Sequence, residues 1–117
     1  MSSTLMLEII ERAVHASPGE LRDVLRDGIK MVDELRRAGK ERRAGVLARS
    51  LAMTLALRGE LLTEAQAMME AELALSRDAS TLKAAAKVRA CNGDHESAEA
   101  LRKEAASAPE RFPSDKN

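Results

Sequence analysis

The sequence predicts an all-α protein of about six helices, folded as three antiparallel helical hairpins. Three observations carry this. Ala, Leu, Glu, Arg and Lys dominate while Trp and Tyr are absent and Phe112 is the only phenylalanine, so strong helix formers fill the chain and β-favouring aromatics are missing. Apolar residues recur at i, i+3 and i+4 through most of the chain. Glycine or cap residues interrupt them at intervals that suit short helices joined by tight turns.

In order along the chain, Ser2, Ser3 and Thr4 offer N-caps for a first helix with Leu5, Met6, Ile9, Ile10, Ala13 and Val14 on an apolar stripe ending near Ala16. Ser17-Pro18-Gly19-Glu20 then reads as a helix start, with a cap serine, a proline fit for the first helical position and a glutamate placed to return a hydrogen bond. The helix it opens carries Leu21, Val24, Leu25, Gly28, Met31, Val32 and Leu35 and stops before Gly39. A third helix buries Ala44, Leu47, Ala48, Leu51, Ala52 and Leu55 and stops at Gly59, with Gly45 marking a close helix contact.

Glu60 to Ser76 form a fourth helix with Leu61, Ala65, Met68, Met69 and Leu73 inward, and Asp78 caps a fifth from about Ser80 to Asn92. Gly93-Asp94-His95-Glu96 turns into a sixth bearing Ala98, Leu101 and Ala105, which Pro109 ends. One helical domain over residues 1–108 and a flexible polar tail over 109–117 are therefore expected.

Function classes narrow by elimination. Lys plus Arg equals Asp plus Glu at 19 each, so no net field draws the chain to nucleic acid or to an anionic membrane. No apolar run approaches the roughly 20 residues that span a bilayer, and none is expected to insert. A single cysteine, Cys91, excludes an internal disulfide, and no charged-then-apolar N-terminal segment resembles a secretory signal, so the cytoplasm is the expected compartment. His15 and His95 stand far apart and outside any metal-binding spacing, and phosphate-loop, dinucleotide and nucleophile-elbow motifs are absent. The expectation is a protein that is not an enzyme and takes no metal or cofactor. Glu64, Glu70 and Glu72 read as a solvated helix face, and Arg36, Arg37, Lys40, Arg42 and Arg43 as dipole capping around a solvated turn, with an acidic partner or phosphate groups as the other reading of that basic cluster.

Gly59 and Gly93 differ by 34 residues, and at the same offset Ala52 matches Ala86, Ala56 matches Ala90, Glu60 matches Asp94 and Ala71 matches Ala105. A helix-turn-helix period of about 34 is that of tetratricopeptide repeats. Gly93-Asp94-His95-Glu96-Ser97-Ala98 resembles the turn of that repeat, while Gly59-Glu60-Leu61-Leu62-Thr63-Glu64-Ala65 places its alanine one residue late. Leu or Ala stands where the repeat carries its large aromatics.

In tetratricopeptide arrays the first helix of each hairpin lines a concave groove. Carried onto copies starting at Gly45 and Ala79, the resemblance implies a lining of Val46, Arg49, Met53, Ala56 and Leu57 from one hairpin and Ser80, Lys83, Lys87, Ala90 and Cys91 from the next. That is an apolar floor with a basic rim, suited to helix-in-groove recognition.

Met31-Val32-Asp33-Glu34-Leu35-Arg36-Arg37-Ala38-Gly39, Ala48-Arg49-Ser50-Leu51, Arg58-Gly59 and Glu64-Ala65 are similar to the small tetratricopeptide chaperones of bacterial type III secretion needles, over roughly residues 28–106. The resemblance implies a chaperone that cradles the C-terminal helix of the needle subunit and prevents its premature polymerisation. A small helical co-chaperone would sit against the N-terminal part, so a hetero-oligomer is expected. A general helical-repeat adaptor or regulatory module is the other reading of the same residues.

Overall fold

The computed structural model describes residues 3–110 and residue 115, and consists of six α-helices: α1 (Ser3–His15), α2 (Pro18–Arg37), α3 (Glu41–Arg58), α4 (Leu62–Leu75), α5 (Ala79–Cys91) and α6 (His95–Ser107). The all-α, repeat-like hairpin architecture expected from the sequence is the one observed.

Local chemistry sets the helix ends. The Ser17 hydroxyl oxygen accepts from the Glu20 amide at 3.3 Å and donates to the Glu20 carboxylate at 2.5 Å, with Pro18 opening α2. These contacts with Ser17 hold the Glu20 carboxyl below its ordinary value. Gly39, Gly59 and Gly93 all have positive φ, and each is followed by the same pair of closing bonds. Lys40 N–H donates to Leu35 C=O, Glu60 N–H to Leu55 C=O and Asp94 N–H to Arg89 C=O, while each glycine N–H donates three residues back. Glycine is required there because a side chain would strain the left-handed backbone that makes both bonds possible.

Counted from the left-handed glycine, the first turn is one residue longer, which explains the late alanine of the first copy. Between α5 and α6 only Gly93 and Asp94 intervene after Asn92, whereas Leu61, with φ 52°, adds a residue before α4 begins. The second helices are therefore offset by 33 residues, so Ala65 and Ala98 are both fully buried equivalents. It follows that Glu72, not Ala71, corresponds to Ala105: Glu72 is buried and Ala71 exposed.

The helices form two layers. α1, α3 and α5 pack side by side; α2 bridges α1 and α3, α4 bridges α3 and α5, and α6 covers α5, while α2 and α4 meet through the side chains of Arg36 and Glu72. The overall dimensions, 36 × 34 × 18 Å, match a slab two helices thick. Between the layers lies a core that includes Ala13, Leu21, Leu25, Leu51, Leu55, Ala65, Met69, Leu82 and Val88, with a second cluster of Ile9, Val32, Leu35, Ala44, Leu47 and Ala48 towards the α2–α3 turn.

The tight approach is at Gly28, where a Cβ would overlap Cδ2 of Leu51 and lie 3.4 Å from Cγ2 of Ile9, so three helices meet at that point. Gly45, expected to mark such a contact, leaves room for its own helix's Arg49 guanidinium, 3.0 Å from where a Cβ would stand, and for Glu72 Oε1 of α4 at 3.8 Å.

Past α6, Pro109 C=O accepts from the Ala79 amide at 3.1 Å, Glu110 accepts from the Ser80 hydroxyl, and Asp115 accepts from the amides of Arg42 and Arg43 at 2.8 and 3.3 Å. These three residues of the expected tail make contacts with the first turns of α5 and α3. Phe112 and the rest of that expected tail lie outside the described residues.

Candidate protein-docking face

The odd-numbered helices run parallel. Arg58 on the last turn of α3 donates from Nη1 to the Ala13 carbonyl at the end of α1, at 2.7 Å, so these two C-terminal ends coincide. At the other end, Val46 and Arg49 of α3 share a cavity with Ser80 and Thr81 of α5. One side of each odd helix is taken by the even layer and another by its odd neighbour; what remains is an open face made of three parallel rows.

On α3 that row is Val46, Met53 and Leu57. Val46 and Leu57 are 40% and 65% exposed, and Met53 is half-buried against the main core. The row lies off the stripe of Leu47, Leu51 and Leu55 that packs the interior. On α5 the row is Ser80, Lys83, Lys87, Ala90 and Cys91, with both lysines exposed and the other three half-buried. Ala56 is the exception among the residues expected to line a groove: only 3% exposed, it belongs to the core and offers nothing to a partner.

α1 supplies a row the repeat argument did not find. Arg12 pairs with Asp27 at 3.0 Å, which fixes the side of α1 that faces α2. Leu7 and Val14 fall about 140° and 160° around the helix from Arg12, on the opposite side, and are 68% and 50% exposed, with Ile10 half-buried between them and the core. Leu5 and Val14, expected on the buried stripe, are thus surface residues. The signal was available: the predicted stripe of six residues covers half the helix circumference, more than two neighbouring helices can bury.

The face is therefore apolar along α1 and α3 and basic along α5. At its N-terminal end lies an open cavity of about 510 Å³ lined by Arg36, Arg42, Val46, Arg49, Leu75 and Ser80 among others. Arg36 Nη2 lies 2.8 and 3.0 Å from the two oxygens of Glu72, and its Nε 3.3 Å from Glu41. Burial opposes the Arg36 charge, but the bound Glu72 and then Glu41 carboxylates outweigh it and raise the guanidinium's pKa. Glu72 is buried in this pair, so the solvated face expected for Glu64, Glu70 and Glu72 does not include it; Glu70 pairs with Arg89. The basic cluster around Gly39 is likewise divided, Arg36 turning inward to Glu72 and Arg43 binding Asp115 at 3.1 Å.

No helix among the described residues is long and apolar enough to cross a membrane. Comparison with protein-family models, with curated proteins and with solved structures returned no match to this chain.

Proposed function

We propose that the chain is a protein-binding module that holds an amphipathic helix of a partner along the open face of α1, α3 and α5. The observation that supports this reading is the pair of parallel apolar rows, Leu7-Ile10-Val14 and Val46-Met53-Leu57, in which Leu7, Val14, Val46 and Leu57 are exposed while Ile10 and Met53 border the core. Two rows on adjacent parallel helices form a furrow of the kind that receives the apolar face of a third helix. Large side chains exposed in line on so small a domain favour an interaction surface over chance exposure.

The resemblance to the needle chaperones of type III secretion gives the partner: a needle subunit whose assembling helix is shielded in the furrow in the cytoplasm, so that it stays monomeric until export. No chemistry is needed, because sequestration requires only that the furrow compete with the subunit's self-association.

Co-expression with the needle subunit of the same secretion system, followed by size-exclusion chromatography, tests the proposal. A stoichiometric complex is expected, lost with Leu57→Glu and with Val46→Glu while both variants keep the helical circular dichroism and melting temperature of the parent. These positions are chosen because both side chains are exposed, so the charge is not forced into the core. A chain that elutes alone beside the subunit, or a complex indifferent to both substitutions, overturns it.

A further inference from the structure

The cavity at the joined N-terminal ends of α3 and α5 contains an asymmetry in its hydrogen bonding. Its carboxylates are all engaged: both oxygens of Glu72 with Arg36, Glu41 with Arg36, and Asp78 with the Thr81 amide at 2.8 Å and the Ser76 hydroxyl at 3.2 Å. Arg49 is not. Its guanidinium folds back over Gly45, half-buried, and among the described residues it makes no hydrogen bond or ion pair, although the Asp78 charge attracts it at longer range and Glu72 Oε1 lies over the same glycine. A guanidinium has five N–H donors in a planar fork matched to a carboxylate. Val46 and Leu75, exposed beside it, supply apolar contact.

A second observation places a carboxylate at this same end of the face. Asp115 sits on the first turn of α3, accepting from the Arg42 and Arg43 amides and pairing with the Arg43 guanidinium, with its side chain only 16% exposed. The positive end of the α3 dipole adds to the attraction there. Asp115 thus shows which charge the first turn of α3 accepts, one helical turn from Val46.

We propose that Arg49 anchors an aspartate or glutamate side chain of the partner helix, with the neighbouring apolar side chain of that helix seated against Val46 and Leu75. This rests on the docking face described above and specifies what it selects: an amphipathic helix with a carboxylate in its terminal turn and further acidic residues on the edge facing Lys83 and Lys87. The basic row on α5 and the apolar rows on α1 and α3 orient such a helix by charge on one side and burial on the other.

The test uses the full chain and a synthetic amphipathic peptide of about 20 residues, long enough to hold a helix, made with one glutamate in its apolar terminal turn and again with glutamine there. Titration is followed by fluorescence anisotropy. The glutamate peptide is expected to bind about tenfold more tightly than its twin, the worth of one charge-assisted hydrogen bond of about 1.5 kcal/mol, and Arg49→Gln is expected to erase that difference while leaving the glutamine peptide unaffected. Equal affinities for the two peptides, or a preference that survives Arg49→Gln and disappears with Arg43→Gln, overturns the anchor, the latter by assigning the carboxylate to the site of Asp115. Leu57→Glu separates the two levels: if it abolishes binding while Arg49→Gln changes nothing, the docking face stands and the anchor falls, and if neither peptide binds at all, both fall.

Discussion

Arg36 Nη2 lies 2.8 Å from Oε1 and 3.0 Å from Oε2 of Glu72, joining the last turn of α2 to the last turn of α4 across the N-terminal end of α3. The Glu72 side chain is 7% exposed and that of Arg36 23%, so the pair is largely withdrawn from water and each charge depends on the other for solvation.

Removing one partner therefore costs more than removing both. Arg36→Met leaves the Glu72 carboxylate buried and is expected to lower stability by about 2–4 kcal/mol, whereas Arg36→Met combined with Glu72→Met restores much of the loss. Urea unfolding of the two single variants and the double variant measures this. A double variant no more stable than the worse single one would mean that the pair holds α2 against α4 by geometry and not by mutual neutralisation.

Asp78 gives the acid limb of stability. Burial pushes its carboxyl up, but the Thr81 amide, the Thr81 and Ser76 hydroxyls and the charge of Arg49 together pull it below the ordinary 3.8. Since the folded value is depressed, the ionised cap contributes fully above about pH 4 and the contribution is lost as pH falls through the lowered value. Asp78→Asn keeps a cap acceptor and removes the titration, so the parent's advantage at pH 7 is expected to shrink as pH falls below the ordinary carboxylate value in denaturant titrations; Asp78→Ala costs about 1 kcal/mol at pH 7. An advantage that grows on acidification would reverse the sign.

The helices were legible because each boundary carries its own local chemistry: Ser17 and Glu20, Asp78, and the glycines at 39, 59 and 93 all act within a few residues of where they stand. What escaped depends on partners distant in sequence. Nothing local distinguishes Glu72 from Glu70, yet one is buried against Arg36 and the other pairs with Arg89 nearer the surface. The open face of α1, α3 and α5 was half legible. The repeat offset placed Val46, Leu57, Lys83 and Lys87 on exposed surface and Met53 half-exposed between them, but also Ala56, which is buried, and it was silent on α1 because no copy of the repeat was matched there.

At Gly28 the backbone of α2 leaves room for the Leu51 side chain of α3, where an added Cβ would overlap Cδ2. Gly28→Ala gains about 1 kcal/mol in helix propensity but drives a methyl into the buried Leu51, a cost of about 1–3 kcal/mol, so a net loss is expected. With Leu51→Ala in the background the clash is gone and the same substitution should stabilise. Thermal and urea unfolding of the four proteins in the cycle decide it; a loss of equal size in both backgrounds would show that Gly28 is needed for backbone reasons unrelated to Leu51.

α3 begins at Glu41 after Lys40, whose side chain makes no cap bond, and Asp115 supplies the missing acceptor from the other end of the chain by taking the Arg42 and Arg43 amides. A cap delivered across more than 70 residues ties Asp115 to the start of the helix that forms the middle of the open face. Asp115→Ala is expected to cost about 0.5–1 kcal/mol globally. It should also speed hydrogen exchange at the Arg42 and Arg43 amides several-fold, leaving the Thr81 amide, capped independently by Asp78, unchanged. Exchange at Arg42 and Arg43 that ignores the substitution would mean that those amides are satisfied without Asp115, and the link between the tail and α3 would then contribute nothing to the folded chain in solution.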